Sequence, residues 1–231
     1  MNQHRLSNSW VSTSIFLFLT GLIGLLVVVL PLNEIECKIV LDTQNLAQKT
    51  VGIQFFQVVT YLGDFYLWIV FGLVYFLYSY FKSKKHLRSA SEIAAFLVIT
   101  TALTYFTKMV FARPRPDCPG LKTYSEDLIS SFSYPSGHVS RAAGGFLILS
   151  RKNRIKQLFA TLAIFLVSLS RIVLGAHYPT DVVGGIFLSL AAQQLASLGL
   201  SFFGRRASLH DMNGDRITHA MVDKERTKSF R

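Results

Sequence analysis

Residues 12–32 read STSIFLFLTGLIGLLVVVLPL and contain no charged side chain. About 20 consecutive, mostly apolar residues are enough for a helix to cross the hydrocarbon core of a bilayer. Of all 231 residues only 16% are charged, against roughly 25% in ordinary soluble domains. The stretch therefore predicts a transmembrane helix. The composition predicts an integral membrane protein rather than a soluble, disordered or disulfide-rich one.

Further stretches of low charge follow along the chain, and we predict an all-α bundle of six transmembrane helices. The predicted spans are about 12–32, 55–81, 92–112, 136–150, 157–173 and 181–203. The fourth is the weakest candidate, because it is short and contains Arg141. A secretory signal peptide is the alternative for the first stretch. No small-residue cleavage pattern ends it, so we interpret it as a retained helix.

Basic residues concentrate in the segments that follow the second, fourth and sixth predicted helices. Because cytoplasmic loops carry the excess of lysine and arginine, this pattern predicts that both termini are cytoplasmic. It also accounts for most of the formal charge of +11 without a nucleic-acid partner. We divide the chain into a membrane domain, 1–204, and a basic cytoplasmic tail, 205–231, which is either solvated beside the lipid or binds an anionic lipid or a partner. The basic residues concerned are Arg5, Lys82, Lys84, Lys85, Arg88, Arg151, Lys152, Arg154, Lys156, Arg205, Arg206, Arg216, Lys224, Arg226, Lys228 and Arg231.

Other ionisable residues form three groups at the opposite ends of the predicted helices. The first group, 108–116, ends the third helix; the second, 135–138, begins the fourth; the third, 170–181, links the fifth and sixth. With six helices and a cytoplasmic N-terminus, all three groups fall on the non-cytoplasmic face. Ionisable residues within or beside membrane helices generally serve function, so we expect one site on that face.

The cations and the helix start in these groups suit a phosphate. Lys108, Arg115 and Arg171 supply three positive charges, and an arginine fork matches the oxygens of a phosphate. Ser136 and Gly137 begin a helix, where free backbone N–H groups and the helix dipole favour an anion. Snorkelling at a helix end is the alternative for Lys108 and Arg171 taken singly.

Two histidines and a carboxylate complete a set suited to hydrolysis. His138 and His177 can divide the roles of proton donor and nucleophile. Asp181 follows His177 by four residues, within reach of one imidazole nitrogen if the chain turns into a helix at Pro179. The predicted reaction is phosphoryl transfer to a histidine, followed by hydrolysis of the phosphohistidine.

The same residues form three motifs: Lys-x6-Arg-Pro at 108–116, Pro-Ser-Gly-His at 135–138 and Ser-Arg-x5-His-x3-Asp at 170–181. In this order they resemble the membrane branch of the type-2 phosphatidic acid phosphatase superfamily, whose six-helix plan also matches. The resemblance implies that His177 is the nucleophile, that His138 is the general acid and that Asp181 orients a histidine. It implies no metal or other cofactor. It also implies phosphate ligands at Lys108, Arg115, Ser136, Gly137 and Arg171.

The predicted function is that of an integral membrane lipid phosphatase, because six spans are unnecessary for a water-soluble phosphoester. The expected partners are a lipid phosphate or diphosphate, which enters from the outer leaflet, and the surrounding membrane lipids. Polyprenyl diphosphate, phosphatidylglycerol phosphate and phosphatidate all fit this class. Arg141 favours the first, because it lies one turn deeper than His138 and Pro-Ser-Gly-His-x-x-Arg-Ala at 135–142 resembles the polyisoprenoid diphosphate phosphatases. A structural ion pair is the alternative for Arg141.

Two other classes stay open at this point. Soluble acid phosphatases and vanadium haloperoxidases share the motifs, but the long apolar stretches argue against both. A non-catalytic transporter or scaffold is the other class. Degenerate relatives of that kind are expected to lack a histidine or a cation of the motifs, and none is missing here.

Residues outside the motifs keep two interpretations each. Asp64 either caps a helix, which we favour, or partners a residue of the site. Arg113 is either a loop charge or part of the site. Cys37 and Cys118 both fall on the outer side, where an oxidising compartment allows a disulfide, but the sequence does not decide whether they pair.

Overall fold

The computed structural model describes residues 3–82, 84–124, 131–151 and 153–202. The chain forms two compact units, residues 1–196 and 197–231, and of the second unit only residues 197–202 are described. A 3-10 turn, Tyr61–Gly63, interrupts the series of α-helices. The described helices are α1 Gln3–Val29, α2 Asn33–Lys49, α3 Ile53–Thr60, α4 Phe65–Lys82, α5 Lys84–Phe111, α6 Gly137–Ser150, α7 Arg154–Val173 and α8 Pro179–Phe202.

Five of these helices are long and apolar enough to cross a membrane, which confirms an all-α membrane fold. They are α1 from Asn8, α4, α5 from His86, α7 and α8. Six spans are not confirmed, because α6 has only 14 residues. At 1.5 Å per residue α6 is about 21 Å long, less than the roughly 30 Å of a hydrocarbon core.

The predicted span 55–81 is wrong as a single helix. The chain forms α3, the turn Tyr61–Gly63 and then α4. The break occurs because the Asp64 carboxylate accepts hydrogen bonds from the backbone N–H groups of Tyr66 at 2.8 Å and Leu67 at 3.1 Å. A side chain in that position satisfies the free donors at the start of a helix. Asp64 is therefore a helix cap, the interpretation that the sequence favoured. The break was not predicted because the residues on both sides of Asp64 are uncharged and read as one continuous span.

Helix α6 is the buried centre of the first unit. Its residues Val139 and Ala142 pack with Val59, Val167 and Val182, which lie on α3, α7 and α8. On another face, Ile148 joins a cluster with residues of α4, α5 and α8. Glycines allow this close approach: a Cβ added at Gly144 or Gly145 would lie within 2.2 Å of the rings of Phe96 and Trp68, respectively. The burial of α6 explains how a short helix is stable without facing lipid along its length.

Helix α2 packs beside the segment that follows α5, and a disulfide between Cys37 and Cys118 joins the two. The buried side chains of α2 are Glu36, Val40, Gln44 and Ala47, which share one face of the helix. Gln44 donates hydrogen bonds of 2.8 Å to the carbonyl oxygens of Lys122 and Val173. The sequence did not decide whether these cysteines pair. In the structure their disulfide and the hydrogen bonds of Gln44 together hold α2 against the segment after α5.

Candidate active site

Backbone hydrogen bonds bring the three motif groups together around the starts of α6 and α8. The N–H group of Ser136 donates to the carbonyl oxygen of Asp181 at 3.0 Å, which joins the second group to the third. The N–H group of Ser133 donates to the carbonyl oxygen of Arg113 at 2.8 Å, which joins the segment before α6 to the first group. The structure therefore brings the three predicted groups together, as the sequence predicted: 108–116, 135–138 and 170–181.

The three predicted phosphate-binding cations are each held by a contact with a neighbouring segment. Lys108, in the last turn of α5, is buried and donates to the carbonyl oxygen of Phe132. Arg115 is half-buried and donates to the carbonyl oxygen of Ala176 at 3.2 Å. Arg171 is fully buried at the end of α7, and its Nη1 atom donates to the Thr60 hydroxyl at 2.9 Å. Phe132 lies shortly before α6 and Ala176 directly precedes His177, so the first two contacts hold Lys108 and Arg115 beside the segments that carry the histidines.

The start of α6 has the features of an anion site. Ser136 precedes the helix in an extended conformation, and its hydroxyl makes no capping hydrogen bond. That hydroxyl is buried and has no hydrogen-bond partner among the residues that the structure describes. Gly137 begins the helix, where the first N–H groups have no partner within the helix. A buried hydroxyl beside free backbone donors suits a phosphate oxygen.

His177 and Asp181 form a buried pair. The Nδ1 atom of His177 lies 3.5 Å from Oδ2 of Asp181, and the two side chains are 1% and 0% exposed. His177 precedes α8, which begins at Pro179. The turn that starts the helix, in which the N–H of Asp181 donates to the carbonyl oxygen of Tyr178 at 3.1 Å, brings the carboxylate back toward the imidazole. The backbone N–H of His177 also donates to the carbonyl oxygen of Arg171 at 3.2 Å, which holds the loop against the end of α7.

His138 lies in the first turn of α6, is half-buried and has Arg141 as a neighbour. Its Nδ1 atom is 3.5 Å from an Nη atom of Arg141. The Nε atom of Arg141 donates to the carbonyl oxygen of Gly63 at 3.0 Å, and the guanidinium lies 5.6 Å from the ring centre of Phe65. Arg141 thus connects α6 to the break between α3 and α4, beside His138.

Arg113 is not a loop charge. It is 3% exposed and donates to the Asp181 carboxylate and the Thr180 hydroxyl, each at 2.7 Å. Its other Nη atom donates to the carboxylate of Glu36 on α2. Burial lowers the pKa of the Arg113 guanidinium, but the attraction of Asp181 and Glu36 outweighs this effect and raises the pKa above its ordinary value.

The sequence interpretation did not consider Glu36 at all. Its carboxylate accepts from Arg113, and it also accepts from the N–H and the hydroxyl of Thr180 at 2.9 and 2.7 Å. Only weak features of the sequence could have indicated that Glu36 and Arg113 lie at the site. Arg113 belongs to the run Arg-Pro-Arg-Pro, and Glu36 precedes a cysteine on a predicted outer segment.

Comparison with known proteins finds one matching family and several relatives. The model of the PAP2 superfamily matches residues 90–202, which include all three motif groups. Decaprenylphosphoryl-5-phosphoribose phosphatase of Mycobacterium tuberculosis is 33% identical over 93 residues, which cover 39% of this chain and 49% of that protein. Phosphatidylglycerophosphatase B of Bacillus subtilis is 40% identical over 72 residues, 26% of this chain and 36% of that protein. The chain thus spans about half or less of the length of these curated relatives.

Two solved structures share the fold. A PAP2-type phosphatidylglycerolphosphate phosphatase from Bacillus subtilis superposes with a TM-score of 0.65 and 23% identity, over 80% of this chain and 94% of that one. LpxE of Aquifex aeolicus superposes with a TM-score of 0.52 and 23% identity, over 68% of this chain and 93% of that one. At this level of identity the two structures show a common architecture only.

Proposed function

We propose that this chain is an integral membrane phosphatase that removes a phosphate from the head group of a lipid. The match of the PAP2 superfamily model to residues 90–202 supports this proposal. The observation that carries the proposal is the buried pair of His177 and Asp181. The pair lies beside the start of α6, because the N–H of Ser136 donates to the backbone carbonyl oxygen of Asp181. A histidine, a carboxylate, several cations and a helix start in one place suit attack on a phosphate better than they suit simple binding. The long apolar helices support a lipid as the substrate.

In the proposed reaction, Nε2 of His177 attacks the terminal phosphorus atom while its bond to the leaving oxygen breaks; this is the bridging oxygen of a diphosphate or the lipid oxygen of a monophosphate. His138 donates a proton to that oxygen as it leaves. Water then attacks the phosphohistidine, His138 takes up a proton from this water, and inorganic phosphate is released. Asp181 lies on the Nδ1 side of His177, so Nε2 stays available and the positive charge that develops on the imidazole is stabilised.

Five residues are proposed as phosphate ligands, and no metal is needed in this scheme. Positive side chains that are already held in place stabilise the charge of the transition state without reorganisation. The hydroxyl and N–H groups at the start of α6 supply neutral donors to the same oxygens. The proposed ligands are Lys108, Arg115, Ser136, Gly137 and Arg171.

Within this class we propose a polyprenyl diphosphate as the preferred substrate. Arg141 lies beside His138, where a further cation suits a head group that carries a second phosphate. A relative with 33% identity is named for a decaprenylphosphoryl substrate, which supports a long isoprenoid tail. Phosphatidylglycerol phosphate is the second candidate, because the Bacillus subtilis relative with 40% identity is named for it; phosphatidate is the third.

Phosphate release from a panel of lipids tests the proposal. The purified chain in detergent receives a polyprenyl diphosphate, a polyprenyl monophosphate, phosphatidylglycerol phosphate or phosphatidate, each with a chelator present. We expect the highest kcat/KM for the polyprenyl diphosphate. No release from any of the four would contradict the phosphatase function, and loss of activity in chelator with recovery on adding a divalent ion would contradict the metal-free scheme.

The His177→Ala variant separates this chemistry from a contaminating activity. We expect it to fold and insert normally but to lose turnover to below a few per cent of wild type. Brief incubation of wild type with labelled substrate should trap an acid-labile phosphoenzyme that His177→Ala lacks. Activity that persists in the variant would show that the nucleophile is a different group.

A further inference from the structure

The carboxylate of Asp181 is one end of a buried ionic bridge that reaches helix α2. Arg113 is the centre of the bridge: Nη1 donates to Oδ1 of Asp181 at 2.7 Å, and Nη2 pairs with Oε2 of Glu36. The three side chains are at most 6% exposed. Burial of three charged groups costs free energy unless the geometry satisfies each of them. We therefore ask what this cluster contributes to the site.

We propose that Arg113 and Glu36 are positioning residues that hold Asp181 in the orientation that His177 needs. This inference rests on the proposed phosphatase function. The two oxygens of Asp181 have separate partners: Oδ1 accepts from Arg113, whereas Oδ2 accepts from the N–H of Tyr178 at 2.9 Å and faces His177. The rigid, planar guanidinium presents one Nη atom to each carboxylate at a fixed angle, which the flexible point charge of a lysine does not do.

Glu36 has a second effect, which is electrostatic. Arg113 alone would neutralise Asp181 and leave little negative charge for the imidazole of His177. With Glu36 bound to the other Nη atom, one guanidinium is shared by two carboxylates, and a net charge of about −1 stays beside His177. That charge is neutralised when the imidazole becomes positive during phosphoryl transfer, so the cluster favours the charged intermediate.

Glu36 also holds the first turn of α8 directly. Its Oε1 atom accepts from both the N–H and the hydroxyl of Thr180, the residue before Asp181. On α2, Glu36 is adjacent to Cys37, whose disulfide with Cys118 fixes this end of the helix to the segment that carries Arg113 and Arg115. The bridge is therefore anchored covalently at one end and reaches the proposed catalytic pair at the other.

Glu36→Gln and Arg113→Lys test the inference, with Glu92→Gln as the matched control. Glu92 is a buried carboxylate that pairs with Arg151 at 2.5 Å, and it lies about 24 Å along α5 from Lys108 at 1.5 Å per residue. For each variant we measure kcat and KM on the best lipid substrate, the inhibition constant of inorganic phosphate, and the midpoint of thermal unfolding.

We expect Glu36→Gln and Arg113→Lys to lower kcat by about 10- to 100-fold, because a misplaced catalytic pair loses the geometry for attack. KM and the inhibition constant of inorganic phosphate should stay within about twofold of wild type, since the proposed phosphate ligands are unchanged. The double variant should lose no more than the worse single variant, because both residues act through Asp181. Glu92→Gln should keep the kcat of wild type.

The possible failures are distinguishable. If wild type releases no phosphate from any lipid of the panel, the proposed function fails. If wild type is active and both variants keep its kcat, the inference alone is overturned. A parallel loss of kcat and of phosphate affinity would also overturn it, because that result indicates general collapse of the site. Should Arg113→Lys fail to fold, Glu36→Gln, which keeps an oxygen acceptor for Thr180, decides the question alone.

Discussion

Asp181 is a fully buried carboxylate in the first turn of α8, and both of its oxygens have donors. An uncompensated charge at such a position would be strongly destabilising. Here Arg113 compensates the charge from one side, and the N–H of Tyr178 and the imidazole of His177 face it from the other. The residue therefore combines a structural task, joining α2 to α8 through Arg113, with its proposed catalytic one.

Asp181→Asn separates these tasks. The amide keeps the shape of the carboxylate but removes its charge, so the imidazole of His177 loses the group that stabilises its positive form. The same change in serine-protease triads lowers kcat by about 10⁴-fold, and we expect a loss of about 10³-fold or more here. Measurement of kcat with a parallel unfolding curve checks this, and a loss below tenfold in a folded variant would contradict the proposed role.

Arg141→Ala tests the proposed preference for a diphosphate. If its guanidinium contacts the second phosphate, the variant should lose diphosphate turnover more than monophosphate turnover, by about tenfold for one contact worth roughly 1.4 kcal/mol. Arg141→Lys is the control, since it keeps the charge but not the fork. Equal losses on both substrates would instead assign Arg141 to holding Gly63 and His138, which it contacts in the structure.

Among individual residues, the sequence predicted those of the motifs but not Glu36 and Arg113, which contact Asp181 directly or through each other. His177 and Asp181 are four residues apart, and the helix that begins at Pro179 turns the chain so that the two side chains meet; this local contact could be predicted from the sequence. Glu36 and Arg113 lie 77 positions apart, and their contact depends on which face of α2 turns toward the site. Packing of the whole unit and the disulfide decide that face, and neither can be inferred from local patterns. The predicted roles of the motif residues stay predictions.

The break between α3 and α4 is the element that most affects the site. It places the turn Tyr61–Gly63 directly against the first turn of α6, where a Cβ at Gly63 would lie 2.7 Å from the carbonyl oxygen of His138. Thr60, at the end of α3, accepts from Arg171. A straight helix over 55–81 would give neither contact. The break, which the search for uncharged stretches did not detect, therefore helps to position His138 and Arg171.

Gly63→Ala should displace His138, because the close neighbour of the added methyl group is backbone and cannot rotate away. We expect kcat on a lipid substrate to fall by about 10- to 100-fold. An aryl phosphate with a good leaving group should show a smaller loss, since it needs less help from a general acid. Gly21→Ala in α1 is the control, because a Cβ there meets nothing within 4 Å. Wild-type kcat in Gly63→Ala would mean that this contact does not position His138.

For the first compact unit as a whole, the candidate site lies where one set of helix ends meets. α5 ends just after Lys108, α6 begins at Gly137, α7 ends just after Arg171 and α8 begins at Pro179. The other end of α6 lies beside the beginning of α5, since Arg151 pairs with Glu92 at 2.5 Å. Helix α6, whose 14 residues are too few for a lipid-facing span, thus runs antiparallel to the part of α5 between Lys108 and Glu92.

This arrangement supports the predicted orientation, in which the site and the disulfide lie outside and the basic loops lie in the cytoplasm. Disulfides persist mainly in oxidising compartments, and the pair Cys37–Cys118 lies on the side of the candidate site. The clustered lysines and arginines that favour the cytoplasmic side lie where α4 meets α5 and where α6 meets α7. Cysteine chemistry and basic charge both favour the orientation predicted from the sequence, which stays a prediction.

Labelling with a membrane-impermeant thiol reagent tests it in intact cells. Both native cysteines are in the disulfide, so a single added cysteine reports its own position. Lys122→Cys, exposed near the site, should react from outside, whereas Lys156→Cys, exposed at the start of α7, should react only after the membrane is opened. Lys156 is preferable to Asn153 because the Asn153 side chain caps α7 through hydrogen bonds to Ile155 and Lys156. The reverse labelling would place the proposed chemistry on the cytoplasmic side, and a lipid substrate would then have to be presented in the inner leaflet.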